Sequence, residues 1–318
     1  MSDAFLRLRG LSKSFPTVRG QVHAVTDVNL DIPRGSITGL VGESGSGKTT
    51  LGRALLRLTE PTAGQTFLEG TDINTLDARA MRGLRKRMQL IFQDPVSSLN
   101  PRLKVGQIVA EGLIAHRLGT ASERRAKVAD LLCEVGLSPE AADRYPHEFS
   151  GGQRQRIGIA RALALDPEFI VADECVSALD VSIQAQVLNL LMELRERRGL
   201  TMLFIAHDLS VVEYLCDQIA VMYLGRVVEV GPAAQVYHEP RHPYTRALIS
   251  AIPSPDPGHR KAREILPGDI PSPLDPPSGC VFRTRCRLAE PDCAIAFPAP
   301  VLVGNKHTAH CIKTKDIA

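Results

Sequence analysis

The chain has 318 residues, of which 44% are hydrophobic and 23% are charged, a composition typical of a water-soluble globular protein. No run approaches the roughly 18 apolar residues of a membrane-spanning helix, and residues 1–7 lack the apolar stretch of a signal peptide. The formal net charge of +3 is too small to indicate nucleic-acid binding. We therefore expect a cytosolic protein. A local basic run is interpreted as a solvated helix face: Arg82, Arg85, Lys86 and Arg87.

The first 235 residues alternate short β-rich runs with helical patterns, which is typical of a mostly parallel α/β sheet. Apolar runs predict buried strands at residues 36–41, 169–172 and 202–206. Apolar positions at helical spacing predict a helix over residues 183–194, and residues 100–150 are predicted to be largely helical. Ligands of such sheets bind beyond the carboxyl ends of the strands. The polar residues after each strand are therefore the candidate site.

The first predicted strand runs into a phosphate-binding pattern. Residues Gly42-Glu43-Ser44-Gly45-Ser46-Gly47-Lys48-Thr49 match G-x-x-x-x-G-K-[ST]. Glycines let backbone N–H groups surround the β-phosphate, and the following helix adds its positive N-terminal end. We expect Lys48 to contact the β- and γ-phosphates, Thr49 to bind Mg²⁺ and Thr50 to belong to the same set. The predicted ligands are ATP and Mg²⁺, against the alternative of a glycine-rich turn that matches by accident.

Two carboxylates follow the second predicted strand. Asp173 is placed to hold Mg²⁺, directly or through water. Glu174 is placed to polarise the water that attacks the γ-phosphate. A surface Asp-Glu pair at a strand end is common, so the pair alone is weak evidence for a site. The phosphate loop earlier in the chain makes it good evidence.

A third motif lies between these two: Phe149-Ser150-Gly151-Gly152-Gln153-Arg154-Gln155-Arg156. It resembles the signature sequence of the ABC ATPase family. Ser150 and the N–H groups of Gly151 and Gly152 would head a helix and form a second anion site. In the family this motif, which includes Gln153 here, contacts the γ-phosphate bound to the opposite subunit. The resemblance implies a dimer that encloses two ATP molecules.

Further positions resemble the family in the expected order over about residues 5–235. Gln93 resembles the Q-loop glutamine, which contacts Mg²⁺ and the attacking water and lies near the coupling helices of membrane subunits. Asp180 resembles the D-loop aspartate at the partner subunit. His207 resembles the switch histidine that contacts the γ-phosphate. Phe15 resembles the aromatic residue that stacks on adenine.

Three positions depart from the family pattern. Phe149 stands where Leu is usual, Cys175 replaces a Pro that commonly follows the catalytic Glu, and Phe15 replaces a Tyr. None of these changes removes a predicted ligand. The resemblance implies a P-loop α/β core with an antiparallel β edge near the N-terminus. It places a helical subdomain at about residues 95–155, within a nucleotide-binding domain of residues 1–238.

The composition changes near residue 240. Residues 240–318 hold 13 of the 22 prolines and have 11 Lys and Arg against 7 Asp and Glu. Such a stretch is not expected to hold long helices or central strands, so residues 239–318 are predicted to form a small irregular module. This tail and the stretch Pro240-Arg241-His242-Pro243-Tyr244-Thr245 resemble the C-terminal domain of oligopeptide/dipeptide importer ATPases.

The seven cysteines fall into two groups. Cys133, Cys175 and Cys216 are predicted to be small buried hydrophobic residues. The others cluster in the tail with the spacing Cys280-x5-Cys286-x6-Cys293-x17-Cys311. This spacing lacks the C-x2-4-C pairs of zinc fingers and the short spacers of ferredoxins, so it indicates a metal without naming it. The resemblance implies a [4Fe–4S] cluster. Zinc, with His307 or His310 as a substitute ligand, and unmetallated thiols remain the alternatives.

The resemblance implies an ATP-hydrolysing subunit of an importer for di- and oligopeptides or similar small solutes. Its implied partners are two transmembrane permease subunits, a second ABC ATPase subunit and, indirectly, a periplasmic or extracellular solute-binding protein, with no nucleic acid. The implied location is the cytoplasmic face of the inner membrane. The alternative is a non-transport ABC ATPase acting on ribosomes or DNA. Members of that kind carry two cassettes or long coiled coils, whereas this chain has one cassette and no sustained heptads.

Overall fold

The computed structural model describes residues 4–94, 97–252, 264, 266–314 and 316–317. They belong to two compact units. The first unit comprises Met1–Thr75 and Phe204–Ala318, and the second comprises Leu76–Leu203. The predicted domain boundary at residue 238 stays a prediction, and residues 95 and 96 of the predicted helical subdomain lie outside the described residues.

The strands and helices follow one another as the alternating sequence patterns predict. In chain order, the strands are β1 Ala4–Thr17, β2 Gly20–Pro33, β3 Ile37–Val41, β4 Ala63–Leu68, β5 Thr71–Asp72, β6 Met88–Ile91, β7 Phe169–Asp173, β8 Thr201–Ala206, β9 Gln218–Tyr223, β10 Arg226–Pro232, β11 Val301–Gly304 and β12 His307–Ala309. The helices are α1 Lys48–Leu55, α2 Ala78–Leu84, α3 Val105–Ala115, α4 Ala121–Glu134, α5 Gly151–Leu163, α6 Val181–Arg198, α7 Leu209–Leu215, α8 Ala233–His238 and α9 Pro243–Ser250. No helix among the described residues is long and apolar enough to cross a membrane.

The first unit contains an antiparallel sheet in the order β2-β1-β4-β5, which confirms the predicted antiparallel edge. Leu6, Leu8 and Leu11 of β1 are fully buried and provide its apolar face. In the same unit β3 pairs in parallel with β9, and β9 pairs antiparallel with β10. All five residues of β3 are buried, as expected for a parallel strand covered on both faces. The phosphate loop thus starts from a rigid strand.

The C-terminal residues add a hairpin to the first unit that the sequence patterns did not reveal. β12 pairs with β10, and β11 pairs with β12. Only three residues of β12 take part, and the intervening residues 266–300 form turns and one short 3₁₀ helix, Pro291–Ala294. The proline-rich composition therefore excludes long elements, as predicted, but it leaves room for a short strand pair.

The second unit combines a parallel strand pair with a helical layer. β6 and β7 run in parallel from Met88 opposite Phe169 to Ile91 opposite Ala172. α3 packs against α4 and α5, and Thr120 and Glu123 form a capping box that starts α4. The predicted helix at residues 183–194 is the central part of α6. Because β6 and β7 are parallel neighbours, the residues that follow them meet at one edge.

Two predictions for this unit need correction. Cys133 is exposed because it faces away from the buried side of α4, where Leu131 and Leu132 lie. The basic run is not one helix face either. α2 ends at Leu84, and Arg87 beyond it is only partly exposed, with its Nη2 donating to Glu168 Oε2 at 2.9 Å.

Candidate ATP-binding site

The phosphate loop, residues 42–49, connects β3 to the first turn of α1 in the first unit. Gly42, Gly45 and Gly47 have positive φ angles of 155°, 78° and 102°. A Cβ atom on Gly42 would lie 2.0 Å from the carbonyl oxygen of Met222, and one on Gly47 would lie 2.1 Å from that of Ala24. Only glycine satisfies both the backbone angle and the close approach at these two positions. The loop is therefore held tightly against β9 and β2.

Lys48 is directed back over this loop. Its ammonium nitrogen Nζ donates to the carbonyl oxygens of Gly42 at 2.8 Å and Glu43 at 3.1 Å, and the residue is only 4% exposed. Within the described residues, the buried hydroxyl of Ser46 has no hydrogen-bond partner. A buried polar atom without a partner is costly, and a phosphate oxygen would satisfy it. The loop therefore has the charge and the open donor that fit a phosphate group.

Thr49, Thr50, Phe15 and His207 also belong to the first unit. Thr49 and Thr50 lie in the first turn of α1 and are partly exposed. Phe15 near the end of β1 is 37% exposed, with Lys13 Nζ 4.9 Å from its ring centroid. His207 directly follows β8 and is exposed. An exposed aromatic ring and an exposed imidazole are compatible with ligand contacts, and their roles stay predictions.

The second unit brings Gln93 and Glu174 together. Gln93 follows β6, Glu174 follows β7, and Gln93 Nε2 donates to Glu174 Oε2 at 2.9 Å. Asp173, the last residue of β7, is 3% exposed. Glu174 has a φ of 43°, a left-handed conformation that costs roughly 1 kcal/mol or more for a non-glycine residue. Such strain is concentrated at functional sites, which agrees with the predicted role of this carboxylate.

The signature motif starts helix α5. The Ser150 hydroxyl accepts from the Gln153 N–H at 3.3 Å, and Gln153 Oε1 accepts from the Ser150 N–H at 3.0 Å. A Cβ atom on Gly152 would lie 2.4 Å from Ile183 Cγ2, so this glycine allows close packing within the second unit. Ser150 and Gly151 are exposed at the helix N-terminus. Their position is therefore accessible to an anion.

Asp180 has a structural role that its motif did not reveal. It is the N-cap of α6, and its Oδ1 accepts from the Ile183 N–H at 3.0 Å. Such a cap contributes about 1 kcal/mol to helix stability. The predicted contact of Asp180 with a second subunit stays a prediction.

The candidate residues are thus divided between the two units. The phosphate loop, Phe15 and His207 belong to the first unit, whereas Gln93, the signature motif, Asp173, Glu174 and Asp180 belong to the second. Two residues of the first unit were missed by motif reasoning, because they contact the loop from more than 200 positions away: Tyr244 and Arg285. In the sequence, Tyr244 stands out only as part of the tail resemblance.

The four tail cysteines line one apolar pocket together with Phe282 and Leu288, here called the cysteine pocket: Cys280, Cys286, Cys293 and Cys311. Burial raises the pKa of Cys280 and Cys286, and it raises the pKa of Cys311 to about 11 with a further contribution from the charges of the other three thiols. Within the described ranges, no group of three or more His, Cys, Asp or Glu is arranged to hold a metal ion.

The two histidines considered as substitute ligands have other partners. His307 Nε2 lies 2.7 Å from Glu229 Oε1 in a buried contact. His310 Nδ1 lies 2.8 Å from the carbonyl oxygen of Pro298, and its ring stacks on Phe297. Neither histidine lines the cysteine pocket.

Comparison with known proteins identifies the class. Residues 25–177 match the family model "ABC transporter", and residues 228–293 match "Oligopeptide/dipeptide transporter, C-terminal region". The dimeric structure of MJ0796, a bacterial ABC transporter cassette, superposes with a TM-score of 0.66 at 30% identity, covering 72% of this chain and 98% of that chain. The structure of cbiO1 from Clostridium perfringens superposes with a TM-score of 0.66 at 29% identity, covering 75% of this chain and 92% of that chain. The chain belongs to the ATP-binding proteins of the ABC transporter family and is an ATPase.

Curated relatives place the chain more narrowly. The putative peptide import ATP-binding protein of Brucella ovis is 58% identical over 97% of both chains. The oligopeptide transport ATP-binding protein AppF of Bacillus subtilis is 49% identical, also over 97% of both. With the C-terminal match, these relatives place the chain in the oligopeptide/dipeptide branch of the family.

Proposed function

We propose that this chain is the ATPase subunit of an importer for di- and oligopeptides or similar small solutes. The observation that carries the proposal is the joint match to an ABC cassette and to the C-terminal region of oligopeptide/dipeptide transporters in one chain. The names of these relatives, which refer to peptide import and oligopeptide transport, support the substrate class. The alternative, an ABC ATPase acting on ribosomes or DNA, finds no support in these relatives.

The proposed chemistry divides the residues by role. Residues 42–50 bind the phosphates, with Lys48 supplying positive charge, and Phe15 stacks on adenine. Thr49, Gln93 and Asp173 would hold Mg²⁺, which neutralises charge that develops on the β- and γ-phosphates.

Hydrolysis itself is assigned to a carboxylate and a histidine. Glu174 orients and polarises the attacking water, and the hydrogen bond from Gln93 holds its carboxylate in place. His207 contacts the γ-phosphate. The capped and exposed N-terminus of α5, with Ser150, Gly151 and Gly152, offers N–H groups to a γ-phosphate bound by a second ATPase subunit. The dimeric structure of the similar cassette MJ0796 supports such a pairing.

The assembly that we propose contains two membrane permeases and two ATPase chains, identical or different, at the cytoplasmic face of the inner membrane. An external solute-binding protein delivers the solute, and no nucleic acid takes part. Closing and opening of the ATPase dimer would reach the permeases through the Gln93 region.

A capture experiment tests the proposed assembly. Tagged Glu174→Gln protein is bound with MgATP in detergent-solubilised native membranes, and the retained proteins are identified by mass spectrometry. We expect two polytopic permeases and an ATPase partner, none of them retained from membranes that lack the tagged protein. Retention of ribosomal proteins or DNA in place of permeases would contradict the importer assignment.

We also propose that the cysteine pocket holds a [4Fe–4S] cluster. Four thiolates are the usual ligand set of such a cluster, and the pocket gathers four cysteines from the tail. A bound cluster would cross-link and stabilise a segment that has few helices and strands. Because burial raises the pKa of Cys280, Cys286 and Cys311, cluster binding must release protons from these thiols.

Metal analysis tests this second proposal. Protein purified without oxygen should contain about four iron atoms and about four sulfides per chain. Cys280→Ser and Cys293→Ser should lose both, whereas Cys133→Ser, an exposed cysteine outside the pocket, should retain both. One zinc per chain, or no metal, would refute the cluster.

A further inference from the structure

The second residue of the phosphate loop is held by the C-terminal segment, the described residues after 238. Arg285 Nη1 donates to Glu43 Oε2 at 2.7 Å, and Arg285 Nη2 donates to Glu43 Oε1 at 3.3 Å. The backbone N–H of Glu43 donates to the Tyr244 hydroxyl at 2.8 Å. Glu43 is therefore held at its carboxylate and at its backbone by two residues that no phosphate-loop pattern contains.

These two residues are fixed by their surroundings. Tyr244 is fully buried at the start of α9. Its ring lies 4.6 Å from that of Tyr223, the last residue of β9, and 5.3 Å from that of Phe282, measured between centroids. The guanidinium of Arg285, a residue that is 7% exposed, lies 6.0 Å from the ring centroid of Tyr223. An aromatic cluster with so little freedom presents both groups to the loop in one geometry.

The Arg285–Glu43 contact is an ion pair. Burial acts to lower the pKa of Arg285, but hydrogen bonding with Glu43 and Tyr223 raises that pKa above its ordinary value. Removing one member of a partly buried, two-point charge pair leaves the other charge without its partner. The loop should therefore respond strongly to the loss of either side chain.

Glu43 connects Arg285 and Tyr244 to Lys48, the lysine proposed to bind the phosphates. The carbonyl oxygen of Glu43 accepts from Lys48 Nζ at 3.1 Å, so the backbone that Tyr244 fixes also orients the ammonium group. Gly42, immediately before Glu43, is pressed against the carbonyl of Met222 in β9. The start of the loop is thus fixed from β9 and from the C-terminal segment, in the conformation that presents Lys48.

We propose that Arg285 and Tyr244 are positioning residues for nucleotide binding, which hold the phosphate loop through Glu43 in its binding conformation. This proposal rests on the proposed role of residues 42–50 as the nucleotide site. The C-terminal segment then contributes directly to ATP affinity. Pre-organisation of this kind raises affinity by reducing the ordering that binding itself must supply.

A double-mutant cycle tests the coupling. Glu43→Gln, Arg285→Gln and the double variant are compared with the unchanged protein for the Kd of MgATP, measured by calorimetry in the full chain. We expect each single change to raise the Kd about fivefold to tenfold. The double variant should be no weaker than either single one, because both remove the same contact. Arg283→Gln, which removes an exposed donor to Ser278 in the same segment, should leave the Kd unchanged.

Steady-state kinetics separate positioning from general stability. KM for ATP should rise in Arg285→Gln while kcat stays within about twofold, because the chemistry is performed by other residues. Arg285→Lys should recover part of the affinity, since it keeps the charge but not the two-point geometry. If Arg285→Gln does not fold, Glu43→Gln and Tyr244→Phe provide the same measurement.

The outcomes are distinguishable. A Kd in Arg285→Gln and Glu43→Gln within twofold of the unchanged protein would overturn the positioning proposal and leave the nucleotide site intact. Additive losses in the double variant would also overturn it. No MgATP binding by the unchanged protein would instead overturn the proposed nucleotide site itself.

Discussion

The phosphate loop and the C-terminal segment lie in the same compact unit, but they are encoded in different ways. The loop's residues are consecutive, from Gly42 to Thr49, and their spacing alone predicts their chemistry. The C-terminal segment acts through contacts with residues far away in the sequence, such as Arg285 with Glu43, 242 positions apart. Local spacing therefore predicts the site, whereas the contacts that hold the loop in place come from long-range packing.

The largest effect is expected at the centre of the local motif. Lys48→Ala removes the ammonium group that bridges the carbonyls of Gly42 and Glu43 and that is expected to contact the phosphates. Affinity for MgATP should fall about 100-fold or more, which corresponds to about 2.7 kcal/mol. Calorimetry measures it, with Lys104→Ala as the control, since Lys104 lies in the second unit on an exposed ion pair with Asp143. An unchanged affinity in Lys48→Ala would refute the assignment of the loop.

The next prediction concerns stability and separates the two kinds of loop glycine. Gly42→Ala forces a Cβ atom to within 2.0 Å of a backbone oxygen, whereas Gly45 has open space around the same position. We expect Gly42→Ala to lower the free energy of unfolding by about 2–4 kcal/mol. Gly45→Ala, which adds only an unfavourable φ, should cost about 1 kcal/mol. Urea unfolding measures both values, and equal losses would contradict the tight fit of the loop against β9.

The smallest effect concerns the reactivity of the cysteines, which should differ between the core and the tail. Burial raises the pKa of Cys175 to about 12 and also raises that of Cys216, so neither should form the reactive thiolate near neutral pH. In the folded protein an alkylating reagent should label the exposed Cys133 first and leave Cys175 and Cys216 unlabelled. With the proposed cluster bound, the cysteines of the pocket should become reactive only after a chelator removes its iron. Peptide mass spectrometry measures the order, and early labelling of Cys175 would contradict the described core.

Strand positions were predictable because short apolar runs bounded by polar residues are typical of buried strands. The predicted runs at residues 36–41, 169–172 and 202–206 correspond to β3, β7 and β8 with shifts of at most one residue at either end. The meeting of Gln93 with Glu174 also follows from two parallel strands that end at the same edge. The local sequence pattern of a strand is thus enough to predict where the residues that follow it lie.

The remaining features were not predictable from local pattern. The left-handed backbone of Glu174 and the capping role of Asp180 depend on the exact path of the chain between β7 and α6. The hairpin of β11 and β12 is too short to give a periodic signal, and it is stabilised by pairing with β10. The contacts of Tyr244 and Arg285 with Glu43 arise only when distant segments pack together.

The most direct test of the account concerns ATP hydrolysis at Glu174. Phosphate release by the assembled ATPase is measured for the unchanged protein, for Glu174→Gln and for Glu193→Gln, a control on the exposed surface of α6. The account predicts that Glu174→Gln loses about 100-fold or more of its turnover while its Kd for MgATP stays within about threefold, and that Glu193→Gln is unchanged. Turnover by Glu174→Gln at the rate of the unchanged protein would contradict the proposed catalytic role of the carboxylate that Gln93 holds in place.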